Sequence, residues 1–404
     1  MKKKVAIIGK GTAGSQSVCH FLKYMPDCEI EWHFDPNIPV QSVGEGATLV
    51  LPRNLYKTLN FNYIDMKKID SAVKLGIYKS GWGNNKEDYL HQFPPPEASI
   101  HFSATSLQDY VFEKVKDKVK ILEHNVESNN VDADYILDCS GKPESYEDFE
   151  QSTIPVNSAH VVNCYWEYPK FNYSLHIARP YGWVFGIALQ NRCSIGYLYN
   201  RNINNLKEIK DDIKNVFKEY DLTPSDNVKN INFENYYRKN NYTDRVCYNG
   251  NSSFFLEPME ATSITTMDQI QRHCFDIWNN VMSVEDGNLA YKKFLKQIET
   301  MIMMHYFAGS NYDTEFWKFA KERGEECMID ALRNDNEFKS IIEFALRVKD
   351  SNMCPKENLN IADNVQDYFQ YEYGTWWSGS FCENIFGLGI EKKLKDIIQL
   401  TNFL

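Results

Sequence analysis

The first residues of this chain that could do chemistry are three glycines. Gly9, Gly11 and Gly14 have the spacing G-x-G-x-x-G after the apolar run Val5–Ile8, and a helical pattern begins at Thr12. Glycines let the backbone approach a pyrophosphate closely, and the N–H groups that start the next helix favour its negative charge. The pattern therefore predicts a dinucleotide-binding turn between a strand and a helix.

An acidic residue follows this turn at the distance expected for ribose binding. The alternating segment Glu29–Phe34 predicts a second strand, which ends at Asp35. A carboxylate about 20 residues beyond the glycines usually meets the ribose hydroxyls. Asp is also a common turn residue in a sequence such as Asp-Pro-Asn. Because turn, helix, strand and acid arrive in order, the ribose interpretation is favoured.

Two later segments suggest further approaches to the nucleotide. After Pro39 the chain reads VQSVGEGAT, which is either a second loop near the cofactor or a simple turn; the residues alone do not decide. The strand YILD is followed by Cys139, Ser140 and Gly141. Gly141 permits close backbone contact, so a third approach is predicted here. Cys139 is interpreted as a buried structural thiol.

Lys74 and Glu260 are the two charged side chains in unusual surroundings. Lys74 has the apolar flanks AV and LGI, although a solvated lysine is the commoner use of this residue. Glu260 lies in FLEPMEATSI, just before a helix predicted from the run Thr262–Thr265. It is either a functional carboxylate or an exposed one that favours the positive end of the helix dipole.

Composition limits the class of protein. The chain has 404 residues, 43% of them apolar, a net charge of -11 and ten cysteines without a C-x-x-C pair. The negative charge argues against nucleic acid and anionic membranes as partners. The N-terminal sequence MKKKVAIIG lacks the apolar stretch of a signal peptide, and no run is long enough to span a bilayer. A cytoplasmic protein is expected, with no metal site and with homo-oligomerisation left open.

The chain changes character along its length. The aromatic, alternating segment Asn163–Tyr199 predicts a sheet, and long amphipathic patterns dominate after Thr265. We therefore expect an α/β fold: a Rossmann-like dinucleotide-binding sheet and a substrate sheet in residues 1–264, and a mainly helical substrate-side module in residues 265–404.

Several strings of the sequence together resemble one family. They are GKGTAG, FDPNIPVQSVGEGAT, KLGI followed by Trp82, DCSG, GWVFGIAL, RCSIGYLY, FLEPMEATSI, and HYF followed by DTEFW. In this order they resemble the flavin-dependent halogenases, typified by the tryptophan halogenases, over nearly the whole chain. In that family reduced FAD, O2 and a halide give hypohalous acid, which moves through an internal channel to an aromatic substrate. The resemblance implies a non-covalently bound FAD that a separate flavin reductase supplies in reduced form.

The resemblance also implies a role for individual residues. Lys74 would receive the oxidant, and Glu260 would pair with that amine or accept the proton lost by the substrate. The implied FAD-binding residues are Gly9, Gly11, Thr12, Ala13, Gly14, Asp35, Gly44, Ala47, Ser140, Gly141 and Leu256. The backbone amides of Thr262 and Ser263 would bind the halide. The channel and the pocket for an indole-, phenol- or pyrrole-like substrate would involve Trp183, Phe185, His101, Phe102 and Trp376.

Three departures from the family pattern accompany the match. The signature W-x-W-x-I-P appears as Trp183–Ala188, WVFGIA, so the second Trp and the Pro are replaced. Gly46 is inserted in the Gly-Glu-Ala-Thr element, and the chain is shorter than the tryptophan halogenases. The last point puts tryptophan itself in doubt as the substrate.

Two other functions fit part of the pattern. A flavin-dependent aromatic monooxygenase shares the nucleotide-binding architecture, but it has no need of a Lys74 and Glu260 pair to deliver a halogen. A non-catalytic flavin-binding protein would need neither residue.

Overall fold

The computed structural model describes residues 2–39, 45–84, 87–94, 96–350 and 369–402. Its helices are α1 (Thr12–Tyr24), α2 (Val50–Leu59), α3 (Ala104–Val115), α4 (Leu206–Glu219), α5 (Ser263–Trp278), α6 (Val284–Ala308), α7 (Glu315–Asn334), α8 (Asn336–Asp350), α9 (Ser378–Leu388) and α10 (Glu391–Asn402). The strands are β1 (Lys4–Ile8), β2 (Glu29–Phe34), β3 (Glu45–Gly46), β4 (Ala72–Lys74), β5 (Gly76–Ser80), β6 (Tyr89–Gln92), β7 (Ser99–Phe102), β8 (Lys120–Glu123), β9 (Tyr135–Asp138), β10 (Phe149–Gln151), β11 (Ser158–Tyr165), β12 (Ser174–Arg179), β13 (Gly182–Ala188), β14 (Arg192–Tyr199), β15 (Thr223–Asn232), β16 (Tyr236–Arg238), β17 (Val246–Tyr248), β18 (Phe254–Phe255), β19 (Glu372–Tyr373) and β20 (Trp376–Trp377).

The nucleotide-binding turn lies in a parallel sheet. The strand order is β17-β9-β1-β2-β8, and every neighbouring pair is parallel. Val5, Ala6 and Ile7 of β1 are fully buried, as expected for a central strand that is covered on both faces. Helix α1 begins at Thr12, directly after the glycine turn. The Rossmann-like fold expected from the sequence is confirmed.

The second large sheet is mainly antiparallel and has two different faces. Its strand order is β15-β11-β14-β13-β12-β5-β6, with β12 and β5 parallel. Leu175, Ile177 and Val184 point to one face, where they pack with residues of α4 such as Ile209. Because side chains alternate along a strand, the neighbouring residues of β12 and β13 point to the other face, toward the parallel sheet.

The C-terminal part is mainly helical, as the sequence predicts. Met301, Met303 and Met304 in α6 are fully buried and belong to the main core, which agrees with their interpretation as core-filling residues. Among the residues that the structure describes, no helix has both the length and the apolar character needed to cross a membrane. The division of the chain at residue 264 stays a prediction.

Candidate active site

A cavity of 510 Å³ lies between the glycine turn and the second sheet. Gly11 and Gly141 border it, and a Cβ on either glycine would meet no protein atom within 4 Å. The cavity volume is in the range of ordinary cofactor sites. Open space beside two glycines, at the N-terminus of α1, fits the pyrophosphate of a dinucleotide.

Most of the residues predicted to bind FAD border this cavity. They are Gly9, Gly11, Thr12, Ala13, Asp35, Ser140, Gly141 and Leu256. Gly14 and Ala47 are outside its lining, and Gly44 lies outside the described residues. Gly14 has a packing role, because a Cβ there would lie 2.0 Å from the carbonyl oxygen of Gly9. The carbonyl oxygen of Ala47 accepts a hydrogen bond from Lys74 Nζ at 3.0 Å.

Asp35 combines the two uses that the sequence left in competition. Its Oδ1 accepts a hydrogen bond from the backbone N–H of Asn37 at 2.8 Å, so the residue does stabilise a turn. It also borders the cavity. One carboxylate can do both, because it has two oxygens and about four acceptor positions.

The glycines of the turn make a test of the cofactor site possible. Gly11→Ala should leave the fold intact and weaken FAD binding at least tenfold, because its Cβ would enter only the cavity. Gly14→Ala should instead lower the melting temperature, because its Cβ would overlap backbone. Flavin fluorescence titration and thermal unfolding of both variants separate the two effects. Unchanged FAD affinity in Gly11→Ala would contradict this placement of the pyrophosphate.

Lys74 is fully buried immediately behind the cavity wall. Strand β4 alternates, so Val73 points to solvent while Ala72 and Lys74 point inward. A Cβ on Gly46, which borders the cavity, would lie 3.6 Å from Lys74 Nζ. Burial lowers the pKa of Lys74 to about 7, against an opposing effect of Glu260. A large fraction of the amine is therefore uncharged, and nucleophilic, near neutral pH.

Glu260 is also buried, and its backbone is strained. It has a φ of 64° and Ala261 a φ of 56°, which is the left-handed region that non-glycine residues rarely occupy. Such strain persists only where the surrounding structure holds it, commonly at functional sites. Since the residue is only 3% exposed, the interpretation of Glu260 as an exposed helix-start carboxylate is wrong.

The ion-pair partner of Glu260 is Lys79 rather than Lys74, which corrects the expected pairing. His91 Nδ1 lies 2.8 Å from Glu260 Oε2, and His305 Nε2 lies 3.3 Å from Oε1. Burial opposes ionisation of Glu260, but the Lys79 charge and the two histidines outweigh it and hold the pKa well below its ordinary value. Glu260 is therefore a carboxylate at neutral pH.

Lys79, which sequence reasoning set aside in favour of Lys74, is the main site residue that it did not assign. It is fully buried, contacts His305 Nε2, and donates to Asn384 Oδ1 at 2.5 Å. Its partners come from the segment just before α5, from α6 and from α9, which are far apart in the sequence. The available signal was its place two residues after Ile77, because alternation along β5 sends both side chains to the same face.

The predicted halide residues lie at the first turn of α5. Thr262 is buried and precedes the helix, and Ser263 borders the cofactor cavity. The first turn carries no acidic side chain that would repel an anion. Halide binding by their amides stays a prediction.

The predicted channel and substrate residues divide into two groups. Phe185 borders the cavity, and His101 lies next to it through a 2.8 Å contact between Nε2 and Ser174 Oγ. Trp183 and Phe102 are buried outside the lining. Trp376 donates to Glu260 Oε2 at 3.4 Å, so it lies at the Lys79 and Glu260 cluster.

Trp183 is hydrogen-bonded to a second buried carboxylate, Glu257, which the sequence pattern did not single out. Its indole N–H donates to Glu257 Oε2 at 3.1 Å, and the hydroxyl of Tyr306 donates to the same oxygen at 2.8 Å. Burial raises the pKa of Glu257 to about 8, despite these two donors. Within the described ranges, no group of three His, Cys, Asp or Glu side chains is arranged to hold a metal ion.

The family model for tryptophan halogenases matches residues 4–105 and 96–390 of this chain. The chain belongs to the tryptophan halogenase family. It is thus an enzyme of the flavin-dependent halogenase class, and a divergent one.

Solved structures share its fold. Xcc4156, a flavin-dependent halogenase from Xanthomonas campestris, is 15% identical with a TM-score of 0.76 and covers 100% of this chain and 95% of its own. A tryptophan halogenase from Shewanella frigidimarina is 15% identical with a TM-score of 0.73, and the match covers 99% of this chain and 93% of that protein. The tryptophan 6-halogenase SttH from Streptomyces toxytricini is 17% identical with a TM-score of 0.71, and the match covers 100% of this chain and 97% of that protein.

A sequence relative of another class matches only locally. A 3',5'-cyclic-nucleotide phosphodiesterase of Candida albicans is 24% identical over 117 residues, which are 28% of this chain and 26% of that protein. The chain thus spans about a quarter of that relative, and the match carries no argument about the site.

Proposed function

We propose that this halogenase uses reduced FAD and O2 to oxidise halide to hypohalous acid, and that Lys74 delivers the halogen to an electron-rich aromatic substrate. The observation that carries the proposal is the position of Lys74. A buried amine with a pKa of about 7 lies directly behind the wall of the cofactor cavity. An uncharged amine can hold hypohalous acid by a hydrogen bond or as a haloamine.

Each group of residues would have a role that follows from its position in the site. FAD supplies the oxidising chemistry with O2 when it is bound in the cavity. The glycine turn and the start of α1 would bind its pyrophosphate, while the amides of Thr262 and Ser263 would hold the halide nearby. The buried wall around Lys74 would keep water from the oxidant. Glu260, a carboxylate beside Trp376, is suited to accept the proton that the aromatic ring loses.

An aromatic monooxygenase is the second candidate, because it would use the same cofactor cavity. Among the described residues no carboxylate lies in hydrogen-bond contact with Lys74, and burial lowers its pKa to about 7. Direct oxygen transfer gives no reason for such a lysine. The lysine therefore favours halogen transfer. A non-catalytic flavin-binding role gives no reason for it either.

The partners follow from the same proposal. One dinucleotide fingerprint is present in the sequence, so a separate flavin reductase would supply reduced FAD. The substrate would be a small indole-, phenol- or pyrrole-like compound in the cytoplasm. Nucleic acid and membrane are not proposed as partners, since the net charge is -11.

Reconstitution tests the proposed function. Purified protein is incubated with FAD, NADH, a flavin reductase, chloride and bromide, and a panel of aromatic compounds. We expect halogenated products in the complete mixture and none when reductase or halide is omitted. Rapid reduction of FAD by NADH and this protein alone would contradict the external reductase, and a complete mixture without halogenated product would contradict the halogenase assignment for this panel.

A further inference from the structure

We propose that His176 is a further catalytic residue, whose imidazole binds hypohalous acid between the cofactor cavity and the two buried lysines. This inference rests on the proposed function. The sequence pattern did not single out His176, and its role would be to keep the oxidant inside the protein while it moves toward Lys74.

The position of His176 in the second sheet is the main observation. His176 on β12 is the register partner of Lys79 on β5 and of Phe185 on β13. Directly paired residues in a sheet point to the same face. The three side chains therefore form one row, which runs from Phe185 at the cofactor cavity to Lys79 at the Glu260 cluster. His176 is the middle member, and it borders the cavity itself.

The imidazole has an unused polar atom in this position. The residue is 3% exposed, and its Nδ1 is buried without a hydrogen-bond partner among the described residues. A buried polar atom is costly to leave unpaired, so a ligand that enters the cavity and satisfies it is a physical reason for its presence. The backbone of β12 is held in place at His176, because the carbonyl oxygen of His176 accepts a hydrogen bond from Trp82 Nε1 at 3.1 Å.

The surroundings also set the protonation state and orientation of the ring. Burial, with the charge of Lys79, lowers the pKa of His176 well below its ordinary value, although Glu260 opposes this. A neutral imidazole has one N–H donor and one acceptor nitrogen, and the acceptor can receive the O–H of hypohalous acid. Trp183 packs against the ring with a centroid distance of 4.7 Å, which holds it at the cavity wall.

The alternative is that His176 only fills space beside Trp183. His176→Phe keeps a planar ring and removes both nitrogens, and His176→Asn keeps a hydrogen-bonding group. A matched control is His160→Phe, because His160 is a buried histidine of the same sheet that bonds Asn230 Oδ1 through its Nδ1 at 2.8 Å. FAD titration and thermal unfolding of each variant establish that the cavity is intact. If His176→Phe does not fold, His176→Leu takes its place, because it also removes both nitrogens.

The first measurement uses protein without flavin. Dilute hypobromite is added, and bromine on the Lys74 peptide is quantified by mass spectrometry. We expect His176→Phe to lower this modification at least tenfold, His176→Asn to lower it less, and His160→Phe to leave it unchanged. Equal modification in His176→Phe and wild type would overturn the inference.

The second measurement uses the reconstituted enzyme. The fraction of oxidised halide that escapes to a trapping dye is compared with the fraction found in product. His176→Phe should increase escape at least tenfold with unchanged oxygen consumption, and unchanged escape would count against the inference. If wild-type protein makes no halogenated product, the proposed function fails, whereas a His176 effect on the Lys74 peptide would still be visible without flavin.

Discussion

Lys74→Met should abolish halogenation and stabilise the protein. The folded protein holds this amine with a pKa of about 7, compared with 10.5 in a solvated lysine. At about 1.36 kcal/mol per pKa unit, this burial costs on the order of 5 kcal/mol at neutral pH. Met has a similar shape and no charge, so we expect a gain of about 2–4 kcal/mol in the free energy of unfolding after imperfect packing. FAD binding and oxygen consumption should remain.

The low pKa of Lys74 also predicts how the free energy of unfolding changes with pH. Between pH 7 and 10.5 the unfolded chain binds the Lys74 proton and the folded protein does not, so wild-type stability rises with pH across this window. That rise should be smaller in Lys74→Met, and wild-type halogenation should increase as pH passes through about 7. Denaturant unfolding at several pH values measures the free energy of unfolding of both proteins. Lys67→Met, which changes an exposed lysine, is the control. Undiminished halogenation by Lys74→Met would make Lys74 an ordinary buried residue.

Glu260→Gln should lower turnover on the order of 10²-fold or more, as loss of a general base typically does. It should also destabilise the protein by about 3–5 kcal/mol, because it removes one partner of a buried ion pair and leaves the Lys79 charge uncompensated. Wild type should lose the stabilisation from Glu260 as pH falls below 4.5, since the folded-state pKa is held below that value. This acid-dependent loss should be weaker in the variant.

A double variant separates the two roles of Glu260. Lys79→Met with Glu260→Gln removes both members of the pair, so we expect it to recover part of the lost stability. Turnover should stay low if the carboxylate accepts the substrate proton. Recovery of turnover together with stability would mean that Glu260 acts only as the counter-ion of Lys79.

Local patterns in the sequence predicted the cofactor side of the molecule well. The glycine turn, the strand Glu29–Phe34 and the strand YILD are contiguous signals, and the structure places them as neighbours in one parallel sheet. Burial of Lys74 also followed a local cue, since its flanking residues are apolar. These features depend on short segments whose periodicity is visible without knowledge of the tertiary fold.

The substrate side could not be predicted in the same way. The expected pairing of Lys74 with Glu260 is wrong because the choice between two lysines five residues apart depends on whether β4 or β5 faces the segment that precedes α5. His91, His305 and Asn384 approach Glu260 or Lys79 only through that packing. The positive φ of Glu260 had no signal either, because no glycine or asparagine marks the position.

The measurement that tests the central claim most directly is the composition of the product formed under ¹⁸O2 with bromide present. Reduced flavin, wild-type protein and an aromatic substrate are combined, and the product is read by mass spectrometry. Halogen transfer through Lys74 predicts a product with the paired bromine isotopes and no ¹⁸O, and Lys74→Met should give neither label. A product that carries ¹⁸O and no bromine would contradict the account and identify the protein as a monooxygenase.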